Sequence, residues 1–378
     1  MDPEFVRRFE PILLVWLAVM GACVGSFLNV AVFRLPRRCL SVLHPRRSFC
    51  PKCRRQLTWS ENIPLLSWIV QRGRCRGCSS SISARYPLVE AATMGLFGWL
   101  AIRTIGGGHM VDLQAWGLFL TQAVLGSALI VCTLTDLEFR IIPDEIDVPG
   151  ILLAPLACLL VPAALATAPP DLAQAAGWLE RHLGSALMWW GLDAPLRGLA
   201  GLQELSRTDP SSYLHLSSFT GSVLGGAFGA AIIWAIGVIG TRLLGQDTMG
   251  FGDVKFMGML GGFAGFWGVL LTFPVAFVAG SLGGIVHMAW SGHPWITGAD
   301  LEDEDLTPIR RMALAITGAK GPARPDERVK IRFGTGLFAR LATGDPYIPF
   351  GPFLALGAFV VIYFPGLVPS VLRRISGI

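Results

Sequence analysis

The chain has 378 residues, of which 52% are hydrophobic and only 15% charged, and its mean hydropathy is +0.55. That balance excludes an ordinary soluble domain and predicts an all-α polytopic membrane protein. The net charge of +5 is no nucleic-acid signal, because the positive-inside bias of membrane proteins accounts for it.

Apolar stretches near the ~20 residues needed to cross a hydrocarbon core lie at 11–33, 86–104, 113–134, 146–165, 219–244, 254–271, 272–290 and 347–368, predicting about eight transmembrane helices. The first runs on through "GSFLNVAVFRLPRR" with no small-residue cleavage pattern. Residues 1–33 therefore read as an anchor helix and not as a cleaved signal.

Residues 34–85 form a compact module with twelve Lys and Arg residues, which places it in the cytoplasm. Within it, "CPKC" (Cys50, Cys53) is followed after 21 residues by "CRGC" (Cys75, Cys78). Two such knuckles can supply four thiolates to one tetrahedral zinc, and metal binding can provide the folding energy that so small a core lacks. Two disulfides are the first alternative, disfavoured where thiols stay reduced. A redox CxxC is the second, but it normally stands singly beside a βαβ pattern, which is absent. Four cysteine ligands leave no open position, so the zinc is expected to be structural. Cys23, Cys132 and Cys158 lie in apolar spans and read as packing residues.

The remainder, 86–378, is the membrane core. Its third span ends in "TDLEFRIIPD", with Asp136 at the expected cytoplasmic end. Asp144 is the chief rival to Asp136, but it follows Pro143 and can cap the fourth span. An insertion at 166–217 has few basic residues and faces outward; its leucines, alanines and tryptophans recur at helical spacing, as in a capping helix pair. The fifth span leads to "GFGDVKFMGMLGGFAG", where Asp253 follows Gly250 and Gly252. A second insertion at 291–346, passing from "ADLEDEDL" to "RPDERVKIRF", reads as a solvated cytoplasmic loop.

An eight-span topology puts Asp136 and Asp253 at one membrane face. Two close carboxyl groups cannot both ionise easily, so one holds a proton while the other acts as base on water, which suits amide hydrolysis. The protonated partner would polarise the scissile carbonyl. Gly250 and Gly252, lacking Cβ atoms, are expected to let the backbone turn sharply and a substrate strand approach Asp253. The structural alternative for each aspartate is a helix cap or an ion pair with Lys255 or Arg140.

With these residues assembled, the chain resembles the type IV prepilin peptidases (prepilin leader peptidase/N-methyltransferases), a family of GxGD aspartic membrane proteases. The likeness rests on "GSFLNVAVFRLP", "CPKC", "CRGC", "ISARYPLVE", "TDLEFRIIPD", "GFGDVKFMGMLGGFAG" and "IPFGPFLALGA" in that order. It implies an enzyme of the bacterial inner membrane that cuts the basic leader from type IV prepilins or type II secretion pseudopilins at the cytoplasmic face. The new amino terminus is then methylated from S-adenosylmethionine. The resemblance maps the catalytic pair onto Asp136 and Asp253, and components of pilus or secretion assemblies are the implied partners. No glycine-rich S-adenosylmethionine loop on a Rossmann unit is visible, so the methyl-transfer activity rests on resemblance. Glu90, in "RYPLVE", is its candidate residue. Two other readings are a GxGD intramembrane protease without methyl transfer and a proton- or cation-coupled transporter.

Overall fold

The computed structural model describes residues 3–36, 47–167, 181, 201–202, 204–244, 249–291 and 349–367. Most of the outer insertion at 166–217 and nearly all of the inner one at 291–346 lie outside them. The regular elements are helical: α1 (Pro3–Arg34), α2 (Leu66–Val70), α3 (Arg85–Thr104), α4 (Leu113–Phe139), α5 (Asp144–Leu160), α6 (Pro210–Leu244), α7 (Phe251–Ser291) and α8 (Gly351–Tyr363). Among the described residues the only β pairing is two isolated antiparallel bridges, Phe49 with Gln56 and Arg74 with Ser81.

Among the described residues, four stretches are long and apolar enough to cross a membrane: Arg8–Arg34, Leu113–Phe139, Pro210–Leu243 and Phe251–Gly283. They fall on the expected spans at 11–33, 113–134 and 219–244 and on the paired run 254–290. α3, α5 and α8, of 20, 17 and 13 residues, overlap the other three expected positions but are not among these four, so the structure supports four candidate spans and not the expected eight. The chain divides into two compact units, Met1–Pro143 with Gly280–Pro352, and Asp144–Ala279 with Phe353–Ile378.

In the first unit α1 lies along α3 at backbone contact distance. The sequence "GACVG" puts Gly21 and Gly25 one turn apart on α1, the small-residue spacing that lets helices in lipid approach closely. A Cβ at Gly21 would stand 2.6 Å from Phe97 Cβ, and one at Gly25 would stand 2.8 Å from Glu90 Cα. Polar bonds pin the antiparallel pair at both ends. Asn29 Nδ2 donates to Tyr86 O at 3.1 Å at one end, and the Gly107 and Gly108 N–H groups donate to the Glu10 carboxylate at 2.9 and 3.1 Å at the other. α4 starts on an Asp112 cap, whose Oδ1 accepts from Gln114 N–H at 2.9 Å, and packs against both helices.

In the second unit α6 presents Gly225, Gly226 and Gly229 to the start of α7. A Cβ at Gly225 would reach 2.3 Å from Gly261 O, and one at Gly229 would reach 2.6 Å from Met257 O. Such contact tolerates no side chain. The sequence divides the 254–290 run by length, between Leu271 and Thr272, but the helix actually breaks at Gly265, with φ 74° and ψ 173°. That region of backbone space is open essentially to glycine alone. The carbonyls freed by the break are taken up by the segment after α5: Ala166 N–H donates to Phe263 O at 2.9 Å, and Thr167 Oγ1 donates to Ala264 O at 2.8 Å.

Gly265→Ala should therefore be costly twice over, through backbone strain and through a Cβ placed 2.6 Å from Thr167 Oγ1. The expected loss is about 2 kcal/mol or more. Thr167→Val, which removes one donor to Ala264 O, should cost about 1 kcal/mol. Thermal unfolding of the purified protein in detergent, read for both variants, checks the order and size of the two effects.

Candidate active site and cysteine centre

The four module cysteines converge as the spacing requires. All four Sγ atoms lie within 4.8 Å of one another, with Cys50 to Cys78 and Cys53 to Cys75 each at 3.9 Å. Those separations are far too long for disulfides, whose sulfurs bond near 2.05 Å. They match the edge of about 3.8 Å that four sulfurs form around an ion when each metal–sulfur bond is about 2.3 Å. The cluster can hold a metal ion.

The two knuckles are built alike. Arg54 N–H donates to Cys50 O and Ser79 N–H donates to Cys75 O, and Arg54 and Ser79 both take positive φ, 59° and 55°. Each knuckle is closed by a bridge from the residue before its first cysteine. The thiols are unequal. N–H groups of Gly77 and Cys78 lower Cys75, and the hydroxyl and N–H of Ser80 lower Cys78 to about 6. Cys53 accepts from the Arg55 backbone yet is pushed up to about 11 by desolvation and by the neighbouring thiols. Four sulfurs this close together form a donor set that suits a soft cation.

Glu61 organises the module beneath the knuckles. Its buried carboxylate accepts from Thr58 N–H at 3.0 Å, Thr58 Oγ1 at 2.9 Å and Arg55 Nη2 at 2.5 Å. The Thr58 N–H and the Arg55 guanidinium hold it down at about 2. A carboxyl lowered on folding stabilises above its ordinary range, and this contribution is lost as pH falls toward about 2.

Glu90 is buried on α3, where its Oε2 accepts the Leu65 N–H at 2.7 Å. Leu65 has φ 62° and ψ −52°, and Leu66 N–H closes back on Pro64 O at 2.6 Å, so Glu90 holds a strained three-residue γ-turn. The carboxylate fixes the module to α3, a contact with no local mark in the sequence.

Asp136 lies near the end of α4 in the first unit and is only 6% exposed. α4 stops four residues later at Arg140, in the left-handed region at φ 57°, whose N–H donates to Asp136 O. Glu138, in the same last turn, pairs with Arg85 at the start of α3. Gly351, which belongs to the same unit, lies directly against the aspartate: a Cβ there would overlap Asp136 Oδ2. Gly351, inside "IPFGPF", was not singled out by the sequence reasoning. Its only local signal is the Gly-Pro pair that opens α8.

Asp253 lies in the second unit, in the first turn of α7, half-buried, with its N–H donating to Gly250 O at 3.1 Å. Neither Gly250 nor Gly252 takes a positive φ, and Gly252 is already helical. A sharp glycine turn is therefore not what the motif supplies. A Cβ at Gly250 would meet Asp253 Oδ2 at 3.7 Å, an ordinary contact, so the glycine spares the carboxylate one neighbouring methyl without being sterically required. Lys255, a candidate ion-pair partner for Asp253, instead pairs with Asp144 at the first residue of α5. That gives Asp144 a structural role. Asp147, one turn on, is fully buried.

A helical membrane protein with a four-cysteine module and acids at the ends of its apolar helices defines the class. Residues 19–104 match the bacterial peptidase A24 N-terminal domain, and residues 205–285, which include Asp253, match the type IV leader peptidase family. The chain is 32% identical over 305 residues to a prepilin leader peptidase/N-methyltransferase of Myxococcus xanthus, covering 80% of this chain and 72% of that one. Similar proteins of the same name occur in Stutzerimonas stutzeri (28%, 78% of this chain and 89% of that one) and Klebsiella pneumoniae (29%, 70% and 90%). No solved structure matches the chain. The chain belongs to the prepilin leader peptidase/N-methyltransferase family. This membership favours neither the intramembrane-protease reading nor the transporter reading.

Gly351→Ala must displace either α8 or the Asp136 carboxylate. Leader cleavage should fall by about 10²-fold, the scale of a 1 Å misplacement of a reacting group, while methylation of an already cleaved substrate is retained. Parallel cleavage and methylation assays on the purified variant check this.

Proposed function

We propose that this chain cleaves the leader peptide of type IV prepilins or type II secretion pseudopilins, with Asp136 and Asp253 as its two carboxyl groups, and then N-methylates the new amino terminus. The observation that carries the reading is family membership together with Asp253 standing in "GFGD" at the mouth of an apolar helix, inside the segment matched to the type IV leader peptidase family.

The chemistry follows from the acid pair. One carboxylate removes a proton from water, whose oxygen attacks the scissile carbonyl; the other, protonated, donates to the developing oxyanion. Collapse of the tetrahedral species breaks the C–N bond, with a proton passing to the leaving amine. Gly250 and Gly252 keep side chains away from the substrate backbone as it meets Asp253.

The site lies at the cytoplasmic face of the bacterial inner membrane in an eight-span topology, with the 34–85 module on the same side. This follows from the concentration of basic residues in 34–85 and 291–346. The substrate is itself a membrane helix whose basic leader emerges at that face. Components of the pilus or secretion assembly are its proposed further partners.

Cys50, Cys53, Cys75 and Cys78 hold a structural zinc, supported by their sulfur separations and by the absence of an open ligand position. S-adenosylmethionine supplies an electrophilic methyl group for the amine exposed by cleavage. Glu90 is the methyltransferase candidate among this chain's residues, acting as a positioning residue through its hold on the Leu65 turn.

Asp136→Asn and Asp253→Asn should each reduce cleavage of a prepilin by about 10²–10⁴-fold without loss of the folded protein; full activity in either removes that residue from the mechanism. Metal analysis of the purified chain should give about one zinc per molecule by the four-thiolate argument. Replacing Cys50 and Cys75 with serine should abolish zinc retention, and a folded, metal-free wild type would sink this part of the reading.

A further inference from the structure

The short helix α2 shows two opposite characters. Its residue Trp68 faces the module: the indole Nε1 donates to Ile82 O at 3.1 Å, and the ring lies against Gly73, where a Cβ would come within 3.0 Å. Leu66, Ile69 and Val70, spaced i, i+3 and i+4, share the opposite face. They are 60%, 64% and 67% exposed. Three adjacent large aliphatic side chains facing water would be unfavourable in a module with so little core to offset them.

The height of α2 on the membrane helices indicates what covers this face. The turn that opens it is bonded to Glu90, five residues into α3. At a rise of about 1.5 Å per residue, that is some 7 Å along α3 in the direction in which α3 enters the membrane. Leu88, earlier on α3 than this level, already points outward at 60% exposure. The start of α2 thus stands no higher than apolar surface on a spanning helix. The module is also joined to spans at both ends, since α1 runs into it and α3 leaves it.

The charge around α2 agrees. From Arg34 to Arg85 the chain has twelve basic residues and one acidic residue, Glu61, whose carboxylate is already engaged by Arg55. Arg72 and Arg74, just past α2, are exposed. An apolar helical face flanked by arginines fits the headgroup layer of an anionic bilayer, where each basic residue near the surface adds about 1 kcal/mol of attraction.

We propose that α2 is an interfacial helix: Leu66, Ile69 and Val70 insert into the membrane surface beside α3, with Arg72 and Arg74 at the anionic headgroups, so the cysteine module lies down on the bilayer. The inference depends only on the chain spanning a membrane and is independent of the assignment of the aspartates.

The test uses the full chain reconstituted into vesicles of phosphatidylethanolamine and phosphatidylglycerol. The photoreactive residue p-benzoylphenylalanine replaces Leu66, Ile69 or Val70 in turn, and as a control Gln56, which is exposed elsewhere on the module. After irradiation, adducts are identified by mass spectrometry. Phospholipid adducts at 66, 69 and 70 are expected at about fivefold or more the yield at 56, as burial of an apolar face among acyl chains requires. Yields no higher than at 56 would overturn the proposal. So would adducts formed mainly with a second polypeptide, whether another copy of this chain or a pilin helix added to the vesicles, because the face would then be a protein-docking surface.

Discussion

Inside hydrocarbon an unpaired N–H or C=O costs several kcal/mol, so a helix can break there only where other groups take over its bonds. The break at Gly265 meets this constraint with Ala166 and Thr167, which take up the carbonyls of Phe263 and Ala264. Much of the second unit depends on it. The portion of α7 before the break is short, and it is held against α6 through Gly225, Gly226 and Gly229 at backbone distance. Asp253 sits at the far end of that portion. Its position is therefore set by backbone contacts that cannot repack, and not by flexible side chains.

The parts of this molecule legible in its sequence are those where chemistry is confined to a few neighbouring residues. Four cysteines in two CxxC pairs need only local turns to converge, and their spacing predicted the cluster. Long apolar runs such as Leu113–Phe139 declare themselves because a membrane requires length. Gly265 was hidden for the opposite reason: with 45 glycines in the chain, a single one in a glycine-only conformation has no local mark. Hydropathy could only divide that run by length. Gly250 and Gly252 read in sequence as turning the backbone and admitting a strand to Asp253; in the fold neither takes a positive φ, and Gly252 belongs to the helix. Gly351 lies in the quoted motif "IPFGPFLALGA", but its role does not show there, since it rests on a contact with Asp136, a residue far away in sequence.

The pairing of Lys255 with Asp144 makes the same point about charges. In sequence, Lys255 lies two residues from Asp253 and reads as a candidate partner for it. Helical geometry places residues two apart on different faces, so the lysine reaches instead to the start of α5. The interaction ties α5 to α7 and, among the described residues, leaves the lysine paired away from Asp253, whose N–H bonds Gly250 O.

Within the first unit the cysteine centre is connected to Asp136 by a short series of polar contacts. Glu61 orders the segment below the knuckles through Thr58 and Arg55. The same segment continues to the Leu65 turn, which Glu90 holds against α3. α3 begins with Arg85, and Arg85 pairs with Glu138, two residues beyond Asp136. Each contact has at least one buried or half-buried partner, for which an ion pair or hydrogen bond is costly to leave unmade. A metal at the four sulfurs would fix the fold of a module that has little core of its own. Through Arg85 that rigidity reaches the end of α4. The four-cysteine module can in this way contribute to the placement of the Asp136 carboxylate without touching it.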